Sequence, residues 1–438
     1  MRETARSAAL HALERCRSNG AWSGAAIDSE IKKAALDGRD GALAAALCLG
    51  VLENKTLCDF YISAYCSVKL NRIEPGVLDI LRLGVCQILF MDKIPDSAAV
   101  NESVSLARQE KLDRAAGLIN AVLRRVAENK NALPEIPGRG SGEYLSLRYS
   151  HPRWLADRLI AEKGYDFAEA FFRANNSRPR LDVQINTLKI SEKDYLSALA
   201  DTEYSLFEGL NGCFQTDKGS PADLPGFGEG LIYVQDMAAR MTCEIAGGEK
   251  GMNVLDCCAA PGGKSFSTAV RMGGEGHILS CDIHEKKLAL IQSGAARLGI
   301  GMIDTRCMDA SVFDPELENA FDLVIADVPC SGMGVIRKKP EIRDKRAEDI
   351  ARLPEVQSRI LRNVCRYVRP GGVLVYSTCT VLDNENSGVA EQFLREHSEF
   401  AAEDFTVGPV RSQNGMHTFW PHVEGTDGFF AAKFRRKD

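Results

Sequence analysis

Apolar residues recur at helical spacing through the first 128 positions. Val77, Leu78, Leu81, Val85, Ile88 and Leu89 follow a 3.6-residue period, and Val104, Ala107, Leu118, Ile119, Val122 and Val126 continue it. Strand signals are nearly absent there, so residues 1–130 are predicted to form an all-helical domain. Pro134, Pro137, Gly138, Gly140 and Gly142 break the pattern, which predicts a linker over 131–144. From 145 to 240 the signal is mixed. Trp154 to Ala174 reads as helix, and Leu181–Ile185 and 230–235 read as short strands, so a small α+β module is expected. From 241 to 438 strand and helix patterns alternate. Candidate strands cover 253–257, His277–Asp282, Phe321–Asp327 and 373–377, and Leu288, Ile291, Ala295 and Leu298 mark a helix between two of them. That alternation predicts an α/β fold with a mostly parallel, doubly wound sheet. The end differs: Phe419 and 429–434, with Asp427-Gly428 at a turn, predict a closing antiparallel pair.

Length and composition narrow this little. A chain of 438 residues exceeds one ordinary core, and 45% hydrophobic with 26% charged residues is globular. No apolar run reaches the roughly eighteen residues of a membrane span. The start, Met1 to Arg6, leads into alternating polar and apolar residues rather than a signal peptide. A cytoplasmic protein with no membrane partner is expected, and a monomer is the default. The net charge of −6 is not that of a strongly basic nucleic-acid binder. Charge is uneven, however: Arg337, Lys338, Lys339, Arg343, Lys345 and Arg346 crowd the segment after Cys330, and a phosphate-contact role is expected for it.

Fourteen cysteines raise the question of disulfides or zinc. There is no Cys-x-x-Cys, and the seven histidines do not pair with cysteines at ligand spacing, so no metal is expected. Cys48, Cys86 and Cys365 fall among Leu, Val and Ile on helical patterns, where free cysteine acts as a small hydrophobe. Two others sit at the ends of candidate strands: Cys330 in Asp327-Val328-Pro329-Cys330 and Cys379 in Ser377-Thr378-Cys379.

The turn after the candidate strand at 253–257 is Cys258-Ala259-Ala260-Pro261-Gly262-Gly263-Lys264. Ligands of open α/β sheets bind beyond the carboxyl ends of strands, where such turns lie. Asp282 ends the second strand, where a carboxylate can accept from a ribose diol, and Asp309 follows a third possible strand, where it could meet an adenine edge. Two rival nucleotide readings weaken. A P-loop would need glycine at position 258, which is Cys258, although Gly263-Lys264-Ser265 matches its ending. The G-x-G-x-x-G fingerprint is absent. S-adenosylmethionine is the preferred ligand, with these residues and Asp327 as its candidate site.

In combination, the Ala-Ala-Pro-Gly-Gly-Lys loop, the Asp-Val-Pro-Cys-Ser-Gly stretch at 327–332, and Ser377-Thr378-Cys379 with Glu385-Asn386 downstream resemble the RNA cytosine-C5 methyltransferases of the Nol1/Nop2/Sun family. The likeness covers roughly 145–438 and implies a Rossmann-like methyltransferase sheet. Gly117 to Arg125 looks like the end of a NusB-type RNA-binding domain, and Val335 to Arg343 fits the same subgroup. That fusion is similar to the family's bacterial 16S rRNA enzymes, and it implies 16S rRNA as partner with cytosine 967 as target. The resemblance makes Cys379 the nucleophile and gives Cys330 a part in product release. It sets Asp327 on the base's N3/N4 edge, and Arg337, Lys338, Lys339 and Arg343 on RNA. DNA cytosine methyltransferases use the Pro-Cys thiol for attack, so a swap of roles is the rival assignment. One departure is visible: the family's Arg before Asn-Thr is Gln184 in Gln184-Ile185-Asn186-Thr187. The other classes weighed are a P-loop NTPase and a non-catalytic RNA-binding assembly protein.

Overall fold

The computed structural model describes residues 3–199 and 202–438, so Met1 and Arg2 of the N-terminal stretch lie outside the described residues. The chain divides into two compact units, Met1–Ser177 with Ile336–Ala347, and Arg178–Val335 with Glu348–Asp438.

The first unit is helical. Helices Ala5–Asn19, Ser23–Lys33, Gly38–Tyr65, Pro75–Phe90, Asp96–Gln109 and Ala116–Glu128 enclose one core containing Leu47, Ile62, Ile80, Leu81, Val85, Ile119 and Leu123. The Thr4 and Asp37 side chains cap two of these helices by accepting from Ser7 N and Asp40 N. Gly84 lets two helices approach: a Cβ there would stand 2.4 Å from a methyl of Leu123. Gly38–Tyr65 is long and apolar enough to cross a membrane, at mean hydropathy 1.3 over its best window, yet Leu47, Cys48, Val51 and Ile62 are core residues of this unit. The unit runs past 130 to include Gly142–Tyr149, Arg153–Lys163 and Tyr165–Asn175. The last two replace the single helix expected from Trp154 to Ala174, because Gly164 at φ 90° breaks it.

The second unit opens with a small antiparallel sheet of β1 (Leu181–Ile185), β2 (Tyr204–Leu206), β3 (Cys213–Thr216) and β4 (Ile232–Val234), in order β2-β3-β1-β4. The large sheet contains β5 (Asn253–Asp256), β6 (His277–Asp282), β7 (Ile303–Cys307), β8 (Phe321–Asp327) and β9 (Val368–Thr378). After these come β10 (Phe400–Ala402), the hairpin β11 (Thr406–Val407) and β12 (Val410–Arg411), β13 (Met416–Phe419) and β14 (Phe429–Arg436). The sheet order is β10-β14-β9-β8-β5-β6-β7, with β13 also paired to β14. Strands β5 to β9 run parallel, and β14 is antiparallel to β9, β10 and β13.

Successive residues of a strand face opposite sides, and the buried runs here feed two cores. Val254, Leu323, Ile325, Val373 and Val375 meet helices Gly263–Arg271 and Glu285–Leu298 through Phe266, Ala269, Ile291 and Leu298. Leu255, Val324, Ala326, Leu374 and Tyr376 meet helices Leu353–Val364 and Ser387–Glu396 through Leu361, Val364, Val389 and Phe393. The doubly wound sheet and the closing antiparallel strands are as the hydrophobic pattern predicts. Cys365 belongs to the second of these cores and Cys48 and Cys86 to the helical one, and burial pushes the thiols of Cys86 and Cys365 up to about 12.

Candidate active site

The loop after β5 carries the first group of candidates. Cys257 N donates to Ile325 O at 3.0 Å and Ala259 N to Cys281 O at 2.7 Å, so the loop leaves β5 between β8 and β6. Ala260–Pro261 is cis, and Gly262 N closes the turn on Ala259 O at 2.7 Å. Gly262 has φ 113°, and a Cβ there would stand 2.4 Å from the Phe266 ring, so folding alone demands this glycine. Gly263 begins a helix, and a Cβ at that position would meet nothing nearer than Gln235 at 3.6 Å. A helix start that leaves its first N–H groups without helical partners suits a ligand's polar end. Below the loop, Ser265 Oγ donates to Asp256 Oδ2 at 2.7 Å and Ser280 Oγ donates to Ser265 Oγ at 2.8 Å. Burial pushes the Asp256 carboxyl up to about 6.

Lys264 does not point at an open phosphate position. Its Nζ donates to Asp327 Oδ2 at 2.7 Å and stands 4.9 Å from the Phe429 ring centre. Burial works against the Lys264 charge, but the Asp327 carboxylate outweighs it and the lysine's pKa is raised. Asp327 Oδ1 accepts from Ser377 Oγ at 2.8 Å, the residue opposite it on β9. With Cys258 where a P-loop needs glycine, the NTPase reading lacks its phosphate-binding motif.

Adjacent parallel strands explain how two distant cysteines meet. Asp327 pairs with Ser377 in register, and Val328 N donates to Ser377 O at 3.1 Å. Cys330 lies three residues beyond the first and Cys379 two beyond the second, and their Sγ atoms are 3.1 Å apart. Both residues are half-exposed, and neither thiol forms a disulfide. The Cys330 thiol is held well above its ordinary value, first by the hydrogen bond with Cys379, then by burial and by the charges of Glu385 and Asp327. The turns around them interlock: Gly334 N donates to Cys379 O at 3.0 Å, and Gly428 N donates to Gly334 O at 2.9 Å.

Other candidates fall less uniformly. Asp282 ends β6, and its Oδ1 accepts from His284 N at 2.9 Å. The next residue, Ile283, is 56% exposed, an apolar shelf that no sequence signal singled out. Asp309 is exposed, and its Oδ1 accepts from Ser311 N and Oγ at 2.8 and 2.7 Å, which lowers its pKa. Arg337, Lys338, Lys339 and Arg343 all lie in Ile336–Ala347, which folds with the helical unit. Arg337 and Lys338 are half-buried, and Lys339 is exposed with its Nζ 4.8 Å from the Trp22 ring centre.

Arg343 departs from the RNA-contact expectation. It is buried, donating through Nη1 to Glu53 O at 2.6 Å and Tyr149 O at 3.0 Å, and through Nη2 to Asn176 Oδ1 at 2.8 Å. Burial lowers its pKa to about 10. Its Nη1 and Nη2 donors are taken up by main-chain carbonyls and by Asn176 Oδ1 within the helical unit. Glu341 does similar work, accepting from Ser23 N at 3.1 Å and Oγ at 2.7 Å. Gln184 is also buried, on β1, and donates to Gln235 O at 2.9 Å. Although spacing argued against metal ligation, Cys365, His397 and Glu399 converge within 4.8 Å, where His397 Nδ1 is already 2.9 Å from Glu399 Oε1.

Three known families match in sequence. One described as 16S rRNA methyltransferase RsmB/F matches residues 245–435, the NusB family matches 3–128, and a ferredoxin-like domain of RsmF/B-type methyltransferases matches 151–209. A probable ribosomal RNA small subunit methyltransferase B of Bacillus subtilis is 33% identical over 99% of this chain and 98% of its own. The ribosomal RNA small subunit methyltransferase B of Klebsiella pneumoniae is 32% identical over 91% of each. Among solved structures, PH0851 is 26% identical with a TM-score of 0.83 over 98% of both chains. A methyltransferase homolog from Pyrococcus horikoshii is 27% identical with a TM-score of 0.59, covering 67% of this chain and 97% of its own.

Proposed function

The chain belongs to the RsmB/F family of 16S rRNA methyltransferases, and on that premise we propose that it methylates C5 of one cytosine in 16S rRNA, cytosine 967 by family likeness, through a covalent Cys379 adduct. The observation that carries this reading is the 3.1 Å pair of thiols beside the Lys264–Asp327 ion pair. S-adenosylmethionine supplies an electrophilic methyl group when bound. Its cradle is the 258–264 loop, with Asp282 for a ribose diol, Ile283 as an apolar shelf and Asp309 Oδ2 for an adenine edge.

C5 of cytosine is a poor nucleophile, and adding a thiolate at C6 makes the ring enamine-like so that C5 can attack. Cys379 performs that addition. Lys264 and Ser377 hold Asp327 oriented, and each Asp327 oxygen retains a lone pair for the N3/N4 edge of the base. That contact favours the N3-protonated ring that accepts the thiolate. After methyl transfer a base takes the C5 proton, the C5–H electron pair forms the C5–C6 double bond, and the C6–S bond breaks with its pair returning to Cys379. Cys330, at hydrogen-bond distance from the departing sulfur, assists this step. Both faces of the ring edge must be reached, so the cytosine is unpaired or flipped out. The helical unit, with Arg337, Lys338 and Lys339, supplies phosphate contacts that position the RNA. An enzyme acting on 16S rRNA works in the cytoplasm.

Incubation with methyl-labelled S-adenosylmethionine and 16S rRNA, followed by nucleoside analysis, tests the reading. The expected product is 5-methylcytidine at one position. Label appearing in any other nucleoside, or none at all with correctly folded protein, contradicts it.

A further inference from the structure

Beneath the two thiols lies a polar layer that the chemistry above does not use. Gln357, Glu385 and Asn386 are all fully buried. Glu385 Oε2 accepts from Ser331 N and from Gln357 Nε2, each at 2.9 Å, and Gln357 Nε2 also reaches Pro329 O at 3.1 Å. These contacts clamp the turn Pro329-Cys330-Ser331 from below. Asn386, the next residue, clamps the other turn: Thr378 Oγ1 donates to Asn386 Oδ1 at 2.6 Å, and Asn386 Nδ2 donates to Thr380 O at 3.0 Å. Ser331 Oγ and Thr380 Oγ1, 2.8 Å apart, join the two turns, and Tyr376 Oη donates to Glu385 O.

A buried carboxylate is costly unless its oxygens are bonded. Glu385 Oε1 has no hydrogen-bond partner among the described residues. Glutamine at 385 could accept the same two bonds with its amide oxygen, so geometry alone does not require the charge. The amide that Glu385 accepts from belongs to Ser331, next to Cys330, whose other titratable neighbours are Cys379, Asp327 with its partner Lys264, and Tyr376.

We propose that Glu385 and Asn386 are the positioning residues of the two-thiol centre: Asn386 holds the turn presenting Cys379, while Glu385 holds the turn presenting Cys330 and, through its buried charge, keeps Cys330 the protonated partner so that the thiolate sits on Cys379. Two thiols at this distance share one negative charge, as S–H and S⁻, and the protein must decide which sulfur carries it. A carboxylate beside one of them decides. The Cys330 thiol is displaced upward first by its hydrogen bond with Cys379, then by burial and by the charges of Cys379 and Glu385, in the direction this division needs. The inference rests on the two-thiol reading of the reaction and adds the device that makes the thiols unequal.

The test is alkylation of the full-length protein with iodoacetamide across pH 6–9, mapped by peptide mass spectrometry, alongside adduct formation on 5-fluorocytidine RNA. Cys379 is expected to react first in the native protein. In Glu385→Gln, Cys330 reactivity near pH 7 rises on the order of tenfold, and adduct formation slows comparably. Gln357→Leu removes the amide clamp and leaves the charge, so the order of alkylation holds while adduct turnover slows. The proposal is overturned if Glu385→Gln leaves the alkylation profile unchanged, or if Gln357→Leu makes Cys330 the faster thiol. Should the native protein form no adduct, the proposed reaction fails, while the alkylation arm still decides the inference.

Discussion

Asp256 ends β5 fully buried beneath the 258–264 loop, with Ser265 Oγ on one carboxylate oxygen and no hydrogen-bond partner for the other side-chain oxygen among the described residues. Burial lifts its pKa from 3.8 to about 6. A carboxyl whose folded pKa exceeds its unfolded one binds its proton more tightly when folded. The stability so contributed is complete below the unfolded value and is lost as pH rises through about 6. The full swing is on the order of 3 kcal/mol at most. Melting temperature should therefore fall between about pH 4 and 6.5 in the native protein, level off above that, and fall less in Asp256→Asn; parallel curves for the two proteins would refute this. Sequence alone did not reveal it, because burial of a strand-end aspartate depends on what packs above it. Lys264 is a similar case: its place in the loop was visible, but its partner Asp327 lies 63 residues away.

Elements were legible where periodicity was strong. The helices around Val85 and Val122, the four principal strands of the large sheet and the closing pair at Phe419 and 429–434 follow the hydrophobic pattern. Strand β7 was only a weak signal, since Ile303, Asp304, Thr305, Arg306 and Cys307 are half-buried or exposed and show no apolar run. Strands β2 and β10 have three residues each, too few to show a period. The contact between the loops after β8 and before β14 was also invisible. A Cβ on Gly334 would stand 1.8 Å from Gly428 O, and Gly334 N holds Cys379 O. Gly334→Ala must push these turns apart, costing on the order of 1–3 kcal/mol. The expected result is a larger loss of methyl transfer than the drop in folded fraction explains, measured by activity and thermal denaturation on the same preparation; activity scaling only with folded fraction would count against it.

At the scale of the whole molecule, family membership gives the reaction class, methyl transfer to 16S rRNA, and Ile336–Ala347 folds with the NusB-like helices. Within that segment the basic residues divide by burial. Arg343→Ala leaves Glu53 O and Tyr149 O without a donor and should lower the melting temperature while leaving the salt dependence of RNA binding intact. Lys339→Ala should leave melting unchanged and reduce the slope of log affinity against log salt by about 1. The reverse pattern would show that Arg343 contacts phosphate after all. The central claim is the division of labour between the thiols, and 16S rRNA transcripts carrying 5-fluorocytidine test it most directly. With S-adenosylmethionine present, the native protein should form a denaturant-stable adduct, Cys379→Ala none, and Cys330→Ala should form it and also accumulate it on ordinary RNA. An adduct that survives Cys379→Ala and disappears in Cys330→Ala would contradict the account.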